Sequence, residues 1–220
     1  MFTRRGLFTR LFWITLGLVA STLSMPRKWM ASSWAQTKQI LPKGFSKERL
    51  IDMNPAEIDS RDLEIDALDQ FETMGPTDMV VDLATYRLKI TGETKRSLFL
   101  TYEEILKLPS VTVDVLLICP GFFANHGRWT GVYLKTLLDE AEIKKEAQFV
   151  DVKGGDGKVL RISLESIRRK KIFLAHHVNG QSLPQKHGFP LRLVYEDVYG
   201  ADWVKFVDEI VVAPWPSSGS

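Results

Sequence analysis

One cysteine stands in 220 residues, so no internal disulfide can staple this chain and its fold rests on a hydrophobic core. That residue, Cys119, follows the run Val111 to Ile118, whose β-branched residues read as a buried strand. Pro120 and Gly121 turn the chain, and a loop through Asn125 and His126 is expected next. Arg128-Trp129-Thr130-Gly131 follows, and Leu134, Leu137 and Leu138 then mark one face of a helix. A thiol at a strand end beside a turn is accessible and oriented. It reads as a small buried hydrophobe, a nucleophile, a metal ligand or an intermolecular link. Arg128 and His126, close in sequence, are cations that would favour its thiolate, and a soft thiolate suits a metal centre.

The first 35 residues carry Arg4, Arg5, Arg10, Arg27, Lys28 and no acid. A paired-arginine start, an apolar stretch from Leu11 to Ala20 and small residues around Ser33-Trp34-Ala35 have the anatomy of a twin-arginine signal peptide over residues 1–35. The stretch is short of the roughly 20 apolar residues of a spanning helix. An uncleaved anchor is the alternative. Export places the chain in the periplasm or beyond the cytoplasm. Without the leader, 24 basic residues face 27 acidic ones, a net charge of −3. That sign argues against nucleic acid as a partner.

Residues 36–76 read as an extended arm broken by Pro42, Pro55 and Pro76. Its acids, from Asp52 through Asp66 and Asp69 to Glu72, read as a solvated, partly ordered run, with a strap over the domain as the sharper alternative. A single α+β domain is expected over 77–214, built on a mixed sheet with short helices, and a disordered tail over 215–220. Val80 to Ile90 reads as a strand ending at Gly92. Thr101 and Glu104 form a capping box for a short helix. Phe149 to Val152 and Val159 to Ser163 flank Gly154-Gly155-Asp156-Gly157 as a hairpin rather than a phosphate cradle. A short helix through Ser166 and strands over Ile172 to Val178, Pro190 to Val194 and Val204 to Val212 complete the pattern.

The usual catalytic signatures are missing. His126, His176, His177 and His187 lack zinc-protease spacing, and the adjacent pair should project to opposite faces of a strand. No nucleophile elbow, Walker loop or dinucleotide fingerprint appears. A second constellation remains, NGQSLPQKHGFPLR with YGADWVK, holding His187, Arg192 and Lys205. Arginine can clasp a phosphate bidentately and lysine can add a point charge.

In order and spacing, VDLATYRLKITG, LTYEEILKLP, Cys119 with RWTGVYLKTLL, NGQSLPQKHGFPLRL and YGADWVKFVDEI resemble the molybdopterin-binding domain of the sulfite oxidase family, over roughly Val81 to Val212. The similarity is to the small, exported, haem-free members. The resemblance implies a molybdenum–molybdopterin cofactor, with Cys119 as thiolate ligand to the metal. It implies that His187 and Arg192 contact the pterin and its phosphate, and that Trp203, Val204 and Lys205 hold the same group. Asp69 to Thr73 loosely resembles an early cofactor-contacting segment, and Gly154 stands where relatives often offer a hydroxyl.

Sulfite oxidases place arginine soon after the cysteine, whereas Pro120-Gly121-Phe122-Phe123 stands here, an apolar pocket rather than one for sulfite. The expectation is therefore an exported molybdenum oxidoreductase that transfers an oxygen atom on a small substrate. It lacks the haem-binding CxxCH motif, so electrons pass through a partner, with a membrane haem protein as the family-based expectation. A cofactor-free thiol enzyme and a non-catalytic binding module of the same fold are the alternatives.

Overall fold

The computed structural model describes residues 37–214; the expected leader and tail lie outside them. In the arm, β1 (Gln39–Ile40) is followed by helix α1 (Lys47–Leu50) and by β2 (Ile58–Asp59), which pairs with β1 in parallel. The body then runs β3 (Leu88–Gly92), β4 (Leu98–Leu100), α2 (Tyr102–Leu106), β5 (Val111–Cys119), β6 (Phe123–Tyr133) and α3 (Leu134–Ala141). It continues through β7 (Ala147–Gly154), β8 (Val159–Ser163), α4 (Leu164–Arg169), β9 (Ile172–Val178), β10 (Gln181–Ser182), β11 (Arg192–Tyr195) and β12 (Val207–Pro214).

The body strands form two five-stranded sheets, one of them the mixed sheet expected. One has the order β4-β3-β12-β7-β8 and is mixed, because β12 runs parallel to β3. The other, β10-β9-β6-β5 with β11 also beside β9, is antiparallel throughout. The mixed sheet packs Val150, Val152, Ile210 and Val212 against Leu134, Leu137 and Leu138 of α3 and Ile167 of α4. The leucine spacing read in the sequence is thus the buried face of α3.

β5 explains its own composition. Val115 and Leu117 point into a cluster with Trp129, Phe173 and Trp203, while Leu116 and Ile118 point the other way, against Leu41, Leu50 and Ile58 of the arm. A strand covered on both faces shows no polar alternation, so it reads as a continuous apolar run. The same period of two puts Cys119 on the Val115 and Leu117 face.

The loop expected after Cys119 is a tight turn, with Gly121 at φ 74° and the Phe122 N–H donating to Cys119 O at 3.0 Å. Asn125 and His126 lie within β6, opposite Leu117 and Leu116. They belong to a strand because the arm supplies partners on the edge that β9 does not reach. Asp66 N donates to His126 O at 2.9 Å, and Asp66 Oδ2 accepts from His126 N at 2.9 Å. The Asn125 amide exchanges two hydrogen bonds with the backbone of Glu72, at 2.8 and 3.1 Å. Buried backbone polar groups need partners, and local sequence could not show these.

The arm is therefore a strap. Most of its acids stay exposed, but Asp66 is buried and ion-paired to Lys47 at 2.6 Å, and Leu41, Leu50, Ile58 and Phe71 are buried. Other boundaries shift for local reasons. The strand expected from Val80 starts only at Leu88, because Asp82 Oδ1 accepts from Ala84 N at 3.0 Å and ties an Asx turn. The capping box of Thr101 and Glu104 and the hairpin β7–β8 form as read. In β9 the register slips between Thr130 and Gly131, which leaves His176 as the extra residue of a bulge. The rings of His176 and His177 meet, with their Nδ1 atoms 2.5 Å apart, instead of projecting to opposite faces.

Candidate active site

Cys119, Arg192, Trp203 and Lys205 line one cavity of about 310 Å³. Three segments deliver them, the end of β5, the start of β11 and the loop before β12, and the strap adds Met74, Gly75 and Pro76 to the lining. Phe123 of β6 and Leu117 of β5 form its apolar wall.

Among the described residues, Arg192 has no ion-pair partner. Its side chain is buried, Nη1 donates to His187 O at 2.9 Å, and Nε has no partner among the described residues. The rings of Trp203 and Trp129 lie 5.7 and 5.9 Å from the guanidinium carbon. These contacts hold the fork in place without neutralising it. Burial lowers its pKa to about 10. Lys205 is similar: Nζ donates to Pro76 O at 2.8 Å, Thr73 Oγ1 at 3.0 Å and Lys186 O at 3.1 Å. Those oxygens are all neutral. Burial, then repulsion from Arg192, lowers the Lys205 pKa to about 8.

His187 sits behind Arg192, 1% exposed, its ring edge against Phe71 with centroids 5.8 Å apart. Burial first, then Arg192, Lys186 and Lys205, lowers its pKa to about 4, so the ring is neutral near pH 7. Its Nε2 is buried and unpartnered. Gly188 is required beside it: at φ 106° it turns the chain against Lys205, whose Cβ would lie 2.9 Å from any Cβ built there. Trp203 is anchored by Nε1 donating to Tyr195 O at 3.0 Å. Val204, expected beside the cofactor, does not line the cavity. Its side chain is core, and its carbonyl accepts from Leu193 N at 2.8 Å.

Burial raises the Cys119 thiol above its usual pKa. The cations expected to help it are elsewhere. Arg128 is exposed and paired with Asp114 at 2.8 Å, and His126 faces the strap, with Nδ1 3.1 Å from Glu64 O. The sulfur's near neighbour is Met74, with Sδ 3.8 Å from Cys119 Sγ.

Sequence reasoning missed Met74, Asp156 and Lys158, all of which line the cavity. Asp156 and Lys158 belong to the β7–β8 turn, whose Gly-Gly-Asp-Gly signal fixed the hairpin but not what its tip touches. The turn comes this close because Gly154 has no side chain: a Cβ there would meet Lys205 O at 2.3 Å. The hydroxyl that relatives offer at this place has no room here. Thr73 of the loosely matched Asp69–Thr73 segment does reach the site, through Lys205.

The donor set is one thiol and three cations, Lys158, Arg192 and Lys205, against one carboxylate, Asp156. Arg192 Nε and His187 Nε2 are buried and lack partners among the described residues. Buried charge without a counter-charge is costly, so the site is built for an anion, and its sulfur suits a soft metal. A phosphate-bearing pterin that carries a metal fits both demands.

Comparisons agree. The family described as "Oxidoreductase molybdopterin binding domain" matches residues 74–220. A putative protein-methionine-sulfoxide reductase subunit, YedZ1, from Azospira oryzae is 27% identical over 132 residues, covering 60% of this chain and 50% of the relative. Mitochondrial sulfite oxidase from Rattus norvegicus is 29% identical over 162 residues, covering 60% of this chain and 30% of the relative. The chain thus spans half or less of the length of these relatives. The crystal structure of the sulfane dehydrogenase SoxCD from Paracoccus pantotrophus aligns with a TM-score of 0.58 at 19% identity, covering 91% of this chain and 56% of that one, a likeness of fold.

Proposed function

The chain belongs to the family of oxidoreductase molybdopterin-binding domains, and from that membership we propose an exported enzyme that moves an oxygen atom to or from a small neutral substrate, with Cys119 as ligand to molybdenum. The observation that carries the reading is the meeting of Cys119 with Arg192 and Lys205 around one cavity. Cys119 lies 73 positions before Arg192 and 86 before Lys205, and the match to the family predicts their convergence.

When bound, the molybdenum–pterin group supplies two-electron oxygen-atom chemistry, while the protein supplies binding and orientation. Cys119 would hold the metal as thiolate. Its raised pKa is what burial does to a thiol with no cation beside it, and metal binding would remove the proton. Arg192 and Lys205 would clasp the phosphate. Their existing contacts to tryptophan rings and carbonyls fix their direction, and a charge-assisted pair in so dry a place is strong. His187, neutral, would offer Nε2 to the pterin. Phe122 and Phe123 follow the cysteine where sulfite oxidases carry arginine, which supports a neutral substrate. The name of the Azospira relative points to sulfoxides.

Export rests on the paired arginines of the leader and electron delivery on a partner, a membrane haem protein by analogy with the relative named as a subunit. A cofactor-free thiol enzyme is disfavoured, because burial raises the thiol's pKa and no base adjoins it. Elemental analysis of protein purified from a host that makes the pterin tests the proposal. About one molybdenum per chain is expected from one such site; folded protein without molybdenum overturns it.

A further inference from the structure

Met74 has no place in the resemblance, yet it is the residue against the reactive sulfur, with Sδ 3.8 Å from Cys119 Sγ. It is 46% exposed and lines the cavity, so it stands at the mouth rather than in the core. Its position is built. The residue before it, Thr73, and the carbonyl two residues after it, Pro76, both accept from Lys205 Nζ, at 3.0 and 2.8 Å. Gly75 at φ 76° makes the intervening turn. Phe123, the register partner of Cys119 on β6, also lines the cavity.

The cavity is therefore divided by chemistry. Its cations are Lys158, Arg192 and Lys205, and none of them acts on the Cys119 thiol, whose pKa is moved by burial alone. Beside Cys119 Sγ stand a thioether and a phenyl ring, which offer no strong hydrogen-bond donor. An oxyanion that enters there gives up hydration without a new partner, while a neutral molecule with an apolar body loses little. We propose that Met74 is a specificity-determining residue, forming with Phe123 a subsite at Cys119 that takes neutral, apolar-bodied substrates and excludes oxyanions. The inference rests on the proposed oxygen-transfer reading for the word substrate, but the subsite itself is a property of this chain's residues.

The test reads the subsite without the cofactor. In full-length protein from a host lacking the pterin, Cys119, the sole cysteine, is alkylated with neutral iodoacetamide and with anionic iodoacetate. Each thiolate displaces iodide, and the rates are followed by mass spectrometry. Met74→Ala should speed iodoacetamide alkylation about threefold or more, because access limits a half-buried thiol. Met74→Leu, of similar volume, should match the parent. Met74→Arg should raise the iodoacetate-to-iodoacetamide ratio about threefold, the scale of one partly exposed charge pair. The ratio cancels any change in thiolate fraction, since both reagents consume the same thiolate. In molybdenum-loaded protein, Met74→Arg should lower KM for sulfite relative to a neutral sulfoxide. An unchanged iodoacetamide rate in Met74→Ala, or an unchanged ratio in Met74→Arg, overturns the proposal. Failure of the underlying reading is seen separately, as parent protein that binds no molybdenum while the alkylation pattern holds.

Discussion

Lys205 and His187 carry the clearest consequence of single residues. The Lys205 pKa falls from 10.5 to about 8, and that of His187 from 6.5 to about 4. Between each pair of values the unfolded chain binds more protons than the folded one, so stability climbs with pH across both windows. Urea unfolding of cofactor-free protein should show a rise between pH 8 and 10.5 that Lys205→Met lacks. A variant that keeps the full rise would show that Lys205 is not the strained group. Arg192→Met should leave cofactor-free protein as stable as the parent or more so, since an unpaired buried cation is removed, yet abolish pterin retention. Cys119, Arg192 and Lys205 were legible because each stands in a motif with a chemical meaning. Asp156, Lys158 and Met74 were not, because a turn tip or a coil residue is placed by what it packs against.

Among the elements, close approach of backbone decides more than propensity. Gly131 in β6 lies where a Cβ would fall 2.1 Å from Leu174 O of β9. Gly131→Ala should cost roughly 3 kcal/mol or more, because neither strand can yield without losing its ladder; a calorimetric melt checks it. Gly154→Ser should likewise push the β7–β8 turn off Lys205 and crowd the Asp156 carboxylate, 2.7 Å from a Cβ built there, lowering pterin content. β5, β9, the hairpin and the capped α2 could be read from period and capping residues. β6 could not be read in full, because the edge around Asn125 and His126 is completed by Asp66 and Glu72, more than 50 positions away. The His176–His177 pair was misread for a related reason: a bulge breaks the alternation that the rule assumes.

At the scale of the whole molecule, the strap belongs to the fold. Leu41, Leu50 and Ile58 cover Leu116 and Ile118, the far face of the strand that ends in Cys119, together with Ala124 of β6. Protein starting at residue 77 should therefore be insoluble or unfolded where protein starting at residue 36 folds, as circular dichroism would show. The charge run suggested a solvated tether because composition reports the exposed acids more loudly than the few leucines between them. The same strap brings Thr73 and Met74 to the site, so core, lid and cofactor pocket are one construction. The central claim is a bond from Cys119 sulfur to molybdenum, and X-ray absorption at the molybdenum edge tests it most directly. Loss of one sulfur neighbour in Cys119→Ala, with the pterin still bound, is the predicted result; the same sulfur count in parent and variant would contradict it.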